Sequence, residues 1–198
     1  MLKLKSLLKR FGRDESGALV AETVIVLPLL FWAYLALFVY WDAYRSINTS
    51  QKAAFTISDM ISREMNAAPL PASYVTGMRD MMAYLVDPDQ TVRLRVSSVT
   101  WSQTNNRYEV DWSKTTDSVK PALTTSSVSS YKDQIPKLAD GDHVIIVESW
   151  VDYHPAFKIG GDFPVLKEIG LNDMVMQQFV VTRPRFTPKI CMTGFACT

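Results

Sequence analysis

The sequence predicts an α+β protein in which a long N-terminal transmembrane helix continues into an exported domain with a second helix and an antiparallel sheet of about four strands. Three observations support this fold class: one long apolar stretch, a helical period after it, and a period-two alternation in the second half. The 198 residues are 47% hydrophobic and 21% charged, with a formal net charge of +1. This composition is typical of a globular chain and gives no reason to expect a nucleic-acid partner.

The apolar stretch covers residues 18–41, where only Glu22, Thr23 and Pro28 are not apolar. As an α-helix, at about 1.5 Å per residue, it would be roughly 36 Å long, enough to cross a hydrocarbon core of about 30 Å. A secretory signal has a shorter apolar region of about 7–15 residues. We therefore expect a leader at 1–17, a transmembrane helix at 18–41 and an exported domain at 42–198.

Basic residues flank this stretch unequally. Two of them, Arg45 and Lys52, follow it within about 15 residues, whereas five precede it: Lys3, Lys5, Lys9, Arg10 and Arg13. The positive-inside rule then predicts a single-pass protein held by membrane lipid, with a cytoplasmic N-terminus and its C-terminal domain outside.

A helical period continues beyond the apolar stretch. The positions expected on one buried face are Ile47, Ala54, Ile57, Ile61 and Met65. The helix should end before Pro69, and a second helix should cover about 72–86. Three methionines of this second helix, Met78, Met81 and Met82, are interpreted as core residues rather than as a metal or peptide site.

The pattern then alternates with period two. Residues 92–97 and 107–112 predict a β-hairpin around a turn at 104–106. Arg93 and Arg95 are expected to pair across this hairpin with Glu109 and Asp111 rather than to form a basic binding patch.

The second half of the domain is predicted in four segments. Residues 113–130, rich in Ser and Thr, should form a surface excursion, and a short helix should follow at about 130–138. A strand at 143–153 is expected to be central because nearly all of its residues favour β structure. A second long loop containing Pro155, Gly160, Gly161 and Pro164 should lead to a last strand at 173–183.

Cys191 and Cys197 lie close together near the C-terminus. Outside the membrane, in an oxidising compartment, a disulfide is the default expectation. The alternative, a weak metal site, has no adjacent His or acidic residue to complete it.

The sequence contains none of the local motifs of common enzyme families, neither a nucleophile elbow nor a zinc-protease, P-loop or dinucleotide motif. The two histidines, His143 and His154, stand apart and are interpreted as structural. The acidic turns at 87–89 and 140–142 lack the rest of a calcium loop. We therefore expect no catalytic residue, cofactor or metal.

The segment around the leader junction reads Phe11-Gly12-Arg13-Asp14-Glu15-Ser16-Gly17-Ala18-Leu19-Val20-Ala21-Glu22. It resembles the class III signal of type IV prepilins and, more narrowly, the TadE-like minor pilins (pseudopilins) of the bacterial Tad, or tight-adherence, pilus. The resemblance implies cleavage after Gly17, which makes Ala18 the new N-terminus and Glu22 the fifth mature residue. Thr23 stands where the family commonly has an aromatic residue.

Three further features are similar to this family. They are Pro28 within the apolar stretch, the motif Arg183-Pro184-Arg185 near the C-terminus, and the general pilin plan of a long helix followed by a sheet. The resemblance implies four partners for the chain: a prepilin peptidase, other Tad pilins and pseudopilins, the inner-membrane pilus assembly platform, and membrane lipid. It also implies location in the bacterial inner membrane with a periplasmic domain, or incorporation into an extracellular pilus used in adhesion.

Charge supports a role for Glu22 in this reading. Cleavage would create an α-ammonium at Ala18 with an ordinary pKa of about 7.7–8.0, and a glutamate on a neighbouring subunit could pair with it. Such a pair sets register mainly through the cost of leaving one charge unpaired. Alternatively, Glu22 is simply a carboxylate favoured near a helix N-terminus. Pro28 is either a tolerated kink or a break that lets the helix bend during assembly.

Two functions therefore remain open. The first is a minor pilin that takes part in assembling a Tad-type pilus. The second is an uncleaved single-pass membrane protein whose periplasmic domain senses or scaffolds.

Overall fold

A computed structural model describes residues 16–65, 68–87, 89–156 and 172–197. The leader before Ser16 and the predicted loop residues Gly160, Gly161 and Pro164 lie outside these described residues. The elements, in chain order, are α1 Ser16–Ser62, α2 Ser73–Val86, β1 Val92–Ser102, β2 Arg107–Thr115, a 3-10 helix at Val128–Tyr131, β3 His143–Tyr153 and β4 Met174–Thr182. This order confirms the predicted α+β layout of a long apolar helix, a second helix and a four-stranded antiparallel sheet.

The described residues fall into two compact units. One contains α1 as far as Asp42, and the other, which we call the sheet domain, consists of Ala43–Pro155 and Asn172–Thr198. The sheet domain contains the last twenty residues of α1 together with α2 and all four strands.

The sheet has the order β2-β1-β3-β4, and every neighbouring pair is antiparallel. The predicted hairpin is confirmed: β1 and β2 are joined by a turn at 103–106 in which Asn106 has a φ of 47°. Asparagine tolerates this left-handed conformation better than most residues. A bulge interrupts the pairing, because Ser98 pairs with Trp112 and Val99 with Val110, which leaves Asp111 as the extra residue of β2.

One face of the sheet is covered by the segment between β2 and β3. Leu123, Val128 and Ile135 from this segment form a buried cluster with Val99, Tyr108, Val144 and Ile146 of the strands. The predicted short helix at 130–138 is therefore wrong, whereas the predicted surface excursion is an irregular segment, largely exposed, that Leu123 and Val128 anchor on the sheet. Apolar residues spaced irregularly among Ser and Thr hold the segment on the sheet, and its helical part is one 3-10 turn.

The other face carries a second buried set, which includes Leu94, Val96, Ile145 and Val147. Val75 and Met82 of α2 are also buried, and α2 contacts β1. In α1, the predicted face is confirmed for Ala54, Ile57 and Ile61, which are at most 1% exposed. A helix face over an antiparallel sheet is the usual way for both elements to bury their apolar surface.

Two of the predicted core methionines are not buried. Met65 is 71% exposed because α1 ends at Ser62, before the helical period would bring Met65 inward. Met81 is 38% exposed, whereas Met82, about 100° further around α2, is fully buried.

The predicted pairing of Arg93 and Arg95 with Glu109 and Asp111 is wrong. Arg95 makes two hydrogen bonds to the carboxylate of Glu148, Nε to Oε2 at 2.6 Å and Nη2 to Oε1 at 2.7 Å. Arg93 pairs with Asp152. The reason is strand order: β1 lies between β2 and β3, and the residues opposite Arg95 are Thr115 on β2 and Glu148 on β3.

The Arg95–Glu148 ion pair ties the covering segment to the sheet. Arg95 is 6% exposed and Glu148 is 0% exposed. The guanidinium also donates to the carbonyl of Pro121 at 2.7 Å and to the hydroxyl of Tyr131 at 3.1 Å, and it lies 5.3 Å from the ring centre of Trp150. Burial by itself would lower the pKa of Arg95, but its bonds to Glu148 outweigh that effect and raise it.

We expect Glu148→Gln to destabilise the protein by about 3–5 kcal/mol, because it leaves a buried guanidinium without its counter-charge. The measurement is urea-induced unfolding of the full chain in detergent, followed by circular dichroism. Glu109→Gln is the matched control, since Glu109 pairs with a largely exposed Arg107 at 3.1 Å and exposed pairs contribute at most about 1 kcal/mol. Equal losses for the two variants would contradict the importance of the buried pair.

Candidate functional site

The apolar part of α1 has a surface suited to lipid. Among the described residues, α1 is the one helix long and apolar enough to cross a membrane by length and composition. Only 6% of its most apolar window is buried, whereas the core helix of a soluble protein would be mostly covered. Large apolar side chains such as Ile25, Phe31 and Leu37 are exposed along it. Contiguous apolar surface of this kind marks a membrane or protein contact.

The Gly17–Ala18 peptide bond lies in the first turn of α1, which begins at Ser16. The N–H groups of a first turn have no acceptor within the helix, and glycine favours helix less than almost any other residue. Gly17 therefore weakens the helical preference of the backbone around this bond.

Glu22 lies on the exposed surface of α1, one turn beyond Ala18. Helical spacing places Val26 and Leu30 on the same side, so the carboxylate heads an apolar stripe. No ion pair to Glu22 is present among the described residues. A carboxylate in that setting favours a cation brought from outside the helix.

Pro28 lies inside α1, and the helix continues through it. Because proline has no N–H, the carbonyl of Val24 lacks its usual helical donor. The chain therefore has a local weak point six residues beyond Glu22 without a break in secondary structure.

The motif Arg183-Pro184-Arg185 directly follows β4 and connects the sheet to the end of α1. The backbone N–H of Arg185 donates to the carbonyl of Ser62 at 2.9 Å, and its Nη2 lies 2.7 Å from Oδ1 of Asp59. Asp59 also pairs with Arg63 at 2.8 Å. Arg185 thus satisfies one of the last carbonyls of α1, which have no partner within a helix.

Arg183 points to a different element. Its Nη1 lies 3.2 Å from Oδ2 of Asp142, in the turn that precedes β3. The two arginines on either side of Pro184 therefore bind two different elements: Arg185 contacts the end of α1, and Arg183 contacts the turn before β3.

The cysteine pair lies in a C-terminal segment that is bonded to two other elements. The Cα atoms of Cys191 and Cys197 are 5.6 Å apart, which is disulfide distance. Leu70 donates its N–H to the carbonyl of Cys191 at 2.8 Å, and Trp112 of β2 donates its indole N–H to the carbonyl of Ile190 at 2.6 Å. This segment thus bonds both to the α1–α2 connection and to an edge strand of the sheet.

The predicted site residues consequently lie in separate places. Gly17, Ala18, Glu22 and Pro28 follow one another along the apolar part of α1, while the arginine motif and the cysteines belong to the sheet domain. The sequence reasoning missed Asp59 as a partner of Arg185. The signal was weak, because Asp59 and Arg63, four residues apart, also suggest an ordinary pair within one helix.

The described residues contain no group of three or more His, Cys, Asp or Glu side chains able to hold a metal ion. Comparisons with known proteins found no matching family model, no matching curated protein and no matching solved structure.

We expect reduction of the cysteine pair to lower stability by roughly 2 kcal/mol, the chain-entropy value for so short a loop. Thermal unfolding with and without a reductant measures the effect. A Cys191→Ser/Cys197→Ser double variant is the control, because its melting temperature should match that of the reduced protein and should not respond to the reductant. A melting temperature of the original chain that is insensitive to reduction would contradict the prediction.

Proposed function

We propose that this chain is a minor pilin, or pseudopilin, that takes part in assembling a Tad-type pilus after a prepilin peptidase cuts the Gly17–Ala18 bond. The observation that carries the proposal is the placement of Glu22. Counted from Ala18, this carboxylate is the fifth residue of an exposed apolar helix. The apolar stretch directly follows a basic leader that ends in Gly17. A plain membrane anchor has no need for a charge there, because a carboxylate in a transmembrane segment costs a few kcal/mol.

Cleavage would change how the chain is held in the membrane. The leader carries five basic and two acidic residues, so its removal changes the formal net charge from +1 to −2. Losing a cytoplasmic basic segment removes its attraction to anionic headgroups. The mature subunit is then easier to extract from the bilayer, which assembly of a pilus requires.

The new N-terminus would also provide a partner for Glu22. The ammonium of Ala18 and the carboxylate of Glu22 are both charged at neutral pH. Within one chain, both groups lie near the same end of α1. Between two chains, an axial shift of one α1 relative to the other places the Ala18 ammonium of one subunit opposite the Glu22 carboxylate of its neighbour. Once the lipid is replaced by neighbouring helices, an unpaired charge is costly, and only the register that pairs them avoids this cost.

The two halves of α1 fit a pilin-type subunit. The exposed apolar part supplies the surface that neighbouring helices would cover, and the part from Ala43 to Ser62 belongs to the sheet domain, which would face outward. The proposed location is the bacterial inner membrane, with the sheet domain in the periplasm. Its partners would be the peptidase, other Tad pilins and pseudopilins, and the inner-membrane assembly platform.

Co-expression of the full chain with a Tad prepilin peptidase tests the processing step. We expect intact-mass spectrometry to show loss of residues 1–17 and an N-terminus at Ala18. A chain that keeps its leader under these conditions would instead support the uncleaved membrane protein with a sensing or scaffolding domain.

We expect Glu22→Ala to lower incorporation into assembled pili by at least about tenfold, with membrane insertion and cleavage retained, because removing one member of a buried ion pair costs more than 1.4 kcal/mol. Immunoblots of sheared pilus fractions and of membranes provide the two measurements. Glu22→Asp is the matched control, since it keeps the charge and should retain most of the incorporation. Normal piliation with Glu22→Ala would refute the pairing mechanism.

A further inference from the structure

The two edges of the sheet differ in how well they are protected against pairing with another strand. The β2 edge contains a bulge and four charged residues, namely Arg107, Glu109, Asp111 and Lys114. One outward N–H of β2, that of Val110, is already bonded to the hydroxyl of Thr125 at 3.2 Å. Charges, bulges and covering loops are the usual devices that prevent a sheet from extending.

Among the described residues, the β4 edge shows none of these devices. Its nine residues, Met174–Thr182, contain no charge and no proline, and they pair with β3 in an uninterrupted register. A long, regular, uncharged edge strand is a template for a further strand.

In an antiparallel sheet, alternate residues of a strand bond to the neighbour on each side, and this alternation shows which backbone N–H and C=O groups of β4 point outward. Asp152 donates its N–H to the carbonyl of Thr91, and Trp101 donates its N–H to the carbonyl of Asp142 just before β3. The even-numbered residues of β3 therefore bond to β1, and the odd-numbered ones face β4. The register then directs the even-numbered residues of β4 toward β3. The N–H and C=O groups that face outward belong to Val175, Gln177, Phe179 and Val181.

No described residue forms a backbone hydrogen bond to the outward groups of these four residues. Val175 is 56% exposed. A strand pairing with all four in the antiparallel sense would form about eight backbone hydrogen bonds, two for each facing pair.

Opposite charges mark the two ends of this edge. Asp173 precedes β4 and pairs with His154 at 3.1 Å, and Arg183 follows β4 and pairs with Asp142 at 3.2 Å. Both side chains remain about half exposed, 47% for Asp173 and 56% for Arg183, so each can also contact an added strand.

We propose that the β4 edge binds an extended segment of another protein as an antiparallel fifth strand of the sheet. The segment would have an uncharged, largely apolar centre, a basic residue opposite Asp173 and an acidic residue opposite Arg183. Backbone hydrogen bonds supply affinity in this type of recognition, while side chains and end charges select the partner and its direction. The proposal depends on the sheet alone and holds whether or not the chain is a pilin.

A second copy of this chain is the competing occupant of this edge, and cross-linking distinguishes it from a segment of another protein. Two β4 strands pair in the antiparallel sense around a two-fold axis perpendicular to the sheet. In the sheet domain, Ser46 contacts Gln90 just before β1, and Ser62 contacts Arg185 just after β4, so this part of α1 runs across the sheet. The two-fold axis would reverse it, so the two chains would enter the joined sheet domains at Ala43 from opposite ends.

A free peptide provides the probe for strand pairing at the β4 edge. The peptide Asp173–Arg183 of this chain, DMVMQQFVVTR, has an uncharged centre, and its antiparallel register places its arginine opposite Asp173 and its aspartate opposite Arg183. We expect the fluorescently labelled peptide to bind the full chain in detergent micelles with saturable one-to-one stoichiometry, measured by fluorescence anisotropy.

N-methylation of the peptide distinguishes hydrogen-bonded pairing at the β4 edge from non-specific apolar binding, and it leaves the protein unaltered. A methyl group on the peptide nitrogen of Gln177 blocks a bond that faces the protein and should weaken binding at least about tenfold, the equivalent of one strong hydrogen bond. The matched peptide methylated at Gln178, whose N–H faces away, should bind like the original. Equal binding of the two methylated peptides, or no saturable binding of the unmethylated one, would overturn the proposal.

Two protein variants complete the test. Arg183→Glu should weaken binding of the original peptide, and a peptide with lysine in place of its aspartate should restore it. A chain with Val175→Cys and Val181→Cys would form β4–β4 cross-links if a second copy were the true occupant. Efficient cross-linking of that kind in membranes would refute a partner of another sequence.

Discussion

Apolar surface along α1 has to be covered in two different ways on one continuous helix, and the rest of the structure follows from that requirement. Up to Asp42 most of the large side chains are exposed, with Val39 as a buried exception, so lipid or further protein has to cover them. From Ala43 onward the buried side chains include small ones, Ala53 and Ala54, beside Ile57 and Ile61, and they belong to the sheet domain. Small residues allow close approach of a helix to its neighbours, whereas bulky ones maximise contact with a fluid environment.

The sheet domain fills its two faces by different means. One face buries aliphatic side chains in the layer that contains α2, and the other is closed by an irregular segment held by Leu123, Val128 and the Arg95–Glu148 ion pair. A buried ion pair adds little net stability, but alternatives that separate its members are strongly disfavoured. The pair therefore fixes where the irregular segment lies more than it strengthens the fold.

Local periodicity was enough to predict most elements, and the incorrectly predicted or missed side-chain pairs share one cause. The strand at 143–153 and the hairpin were predicted correctly because β-forming residues and turn residues follow one another along the chain. The partners of Arg95 and Arg185 were missed because Glu148 lies 53 residues from Arg95, and Asp59 lies on another element from Arg185. Such contacts depend on strand order, and a single sequence does not reveal strand order through spacing. For the candidate site, the segment from Gly17 to Glu22 was recognisable because its signal is local, whereas the role of the arginine motif required the fold.

The C-terminal segment has a mechanical consequence. Arg185 is bonded to the end of α1, Leu70 and Thr193 bond the tail to the α1–α2 connection, and Trp112 bonds it to β2. A tensile load applied along α1 would therefore be shared in shear by several bonds at once instead of peeling the helix from the sheet one contact at a time. The Cys191–Cys197 pair closes a short loop at the far side of this C-terminal segment, so the segment that shares the load is also constrained there.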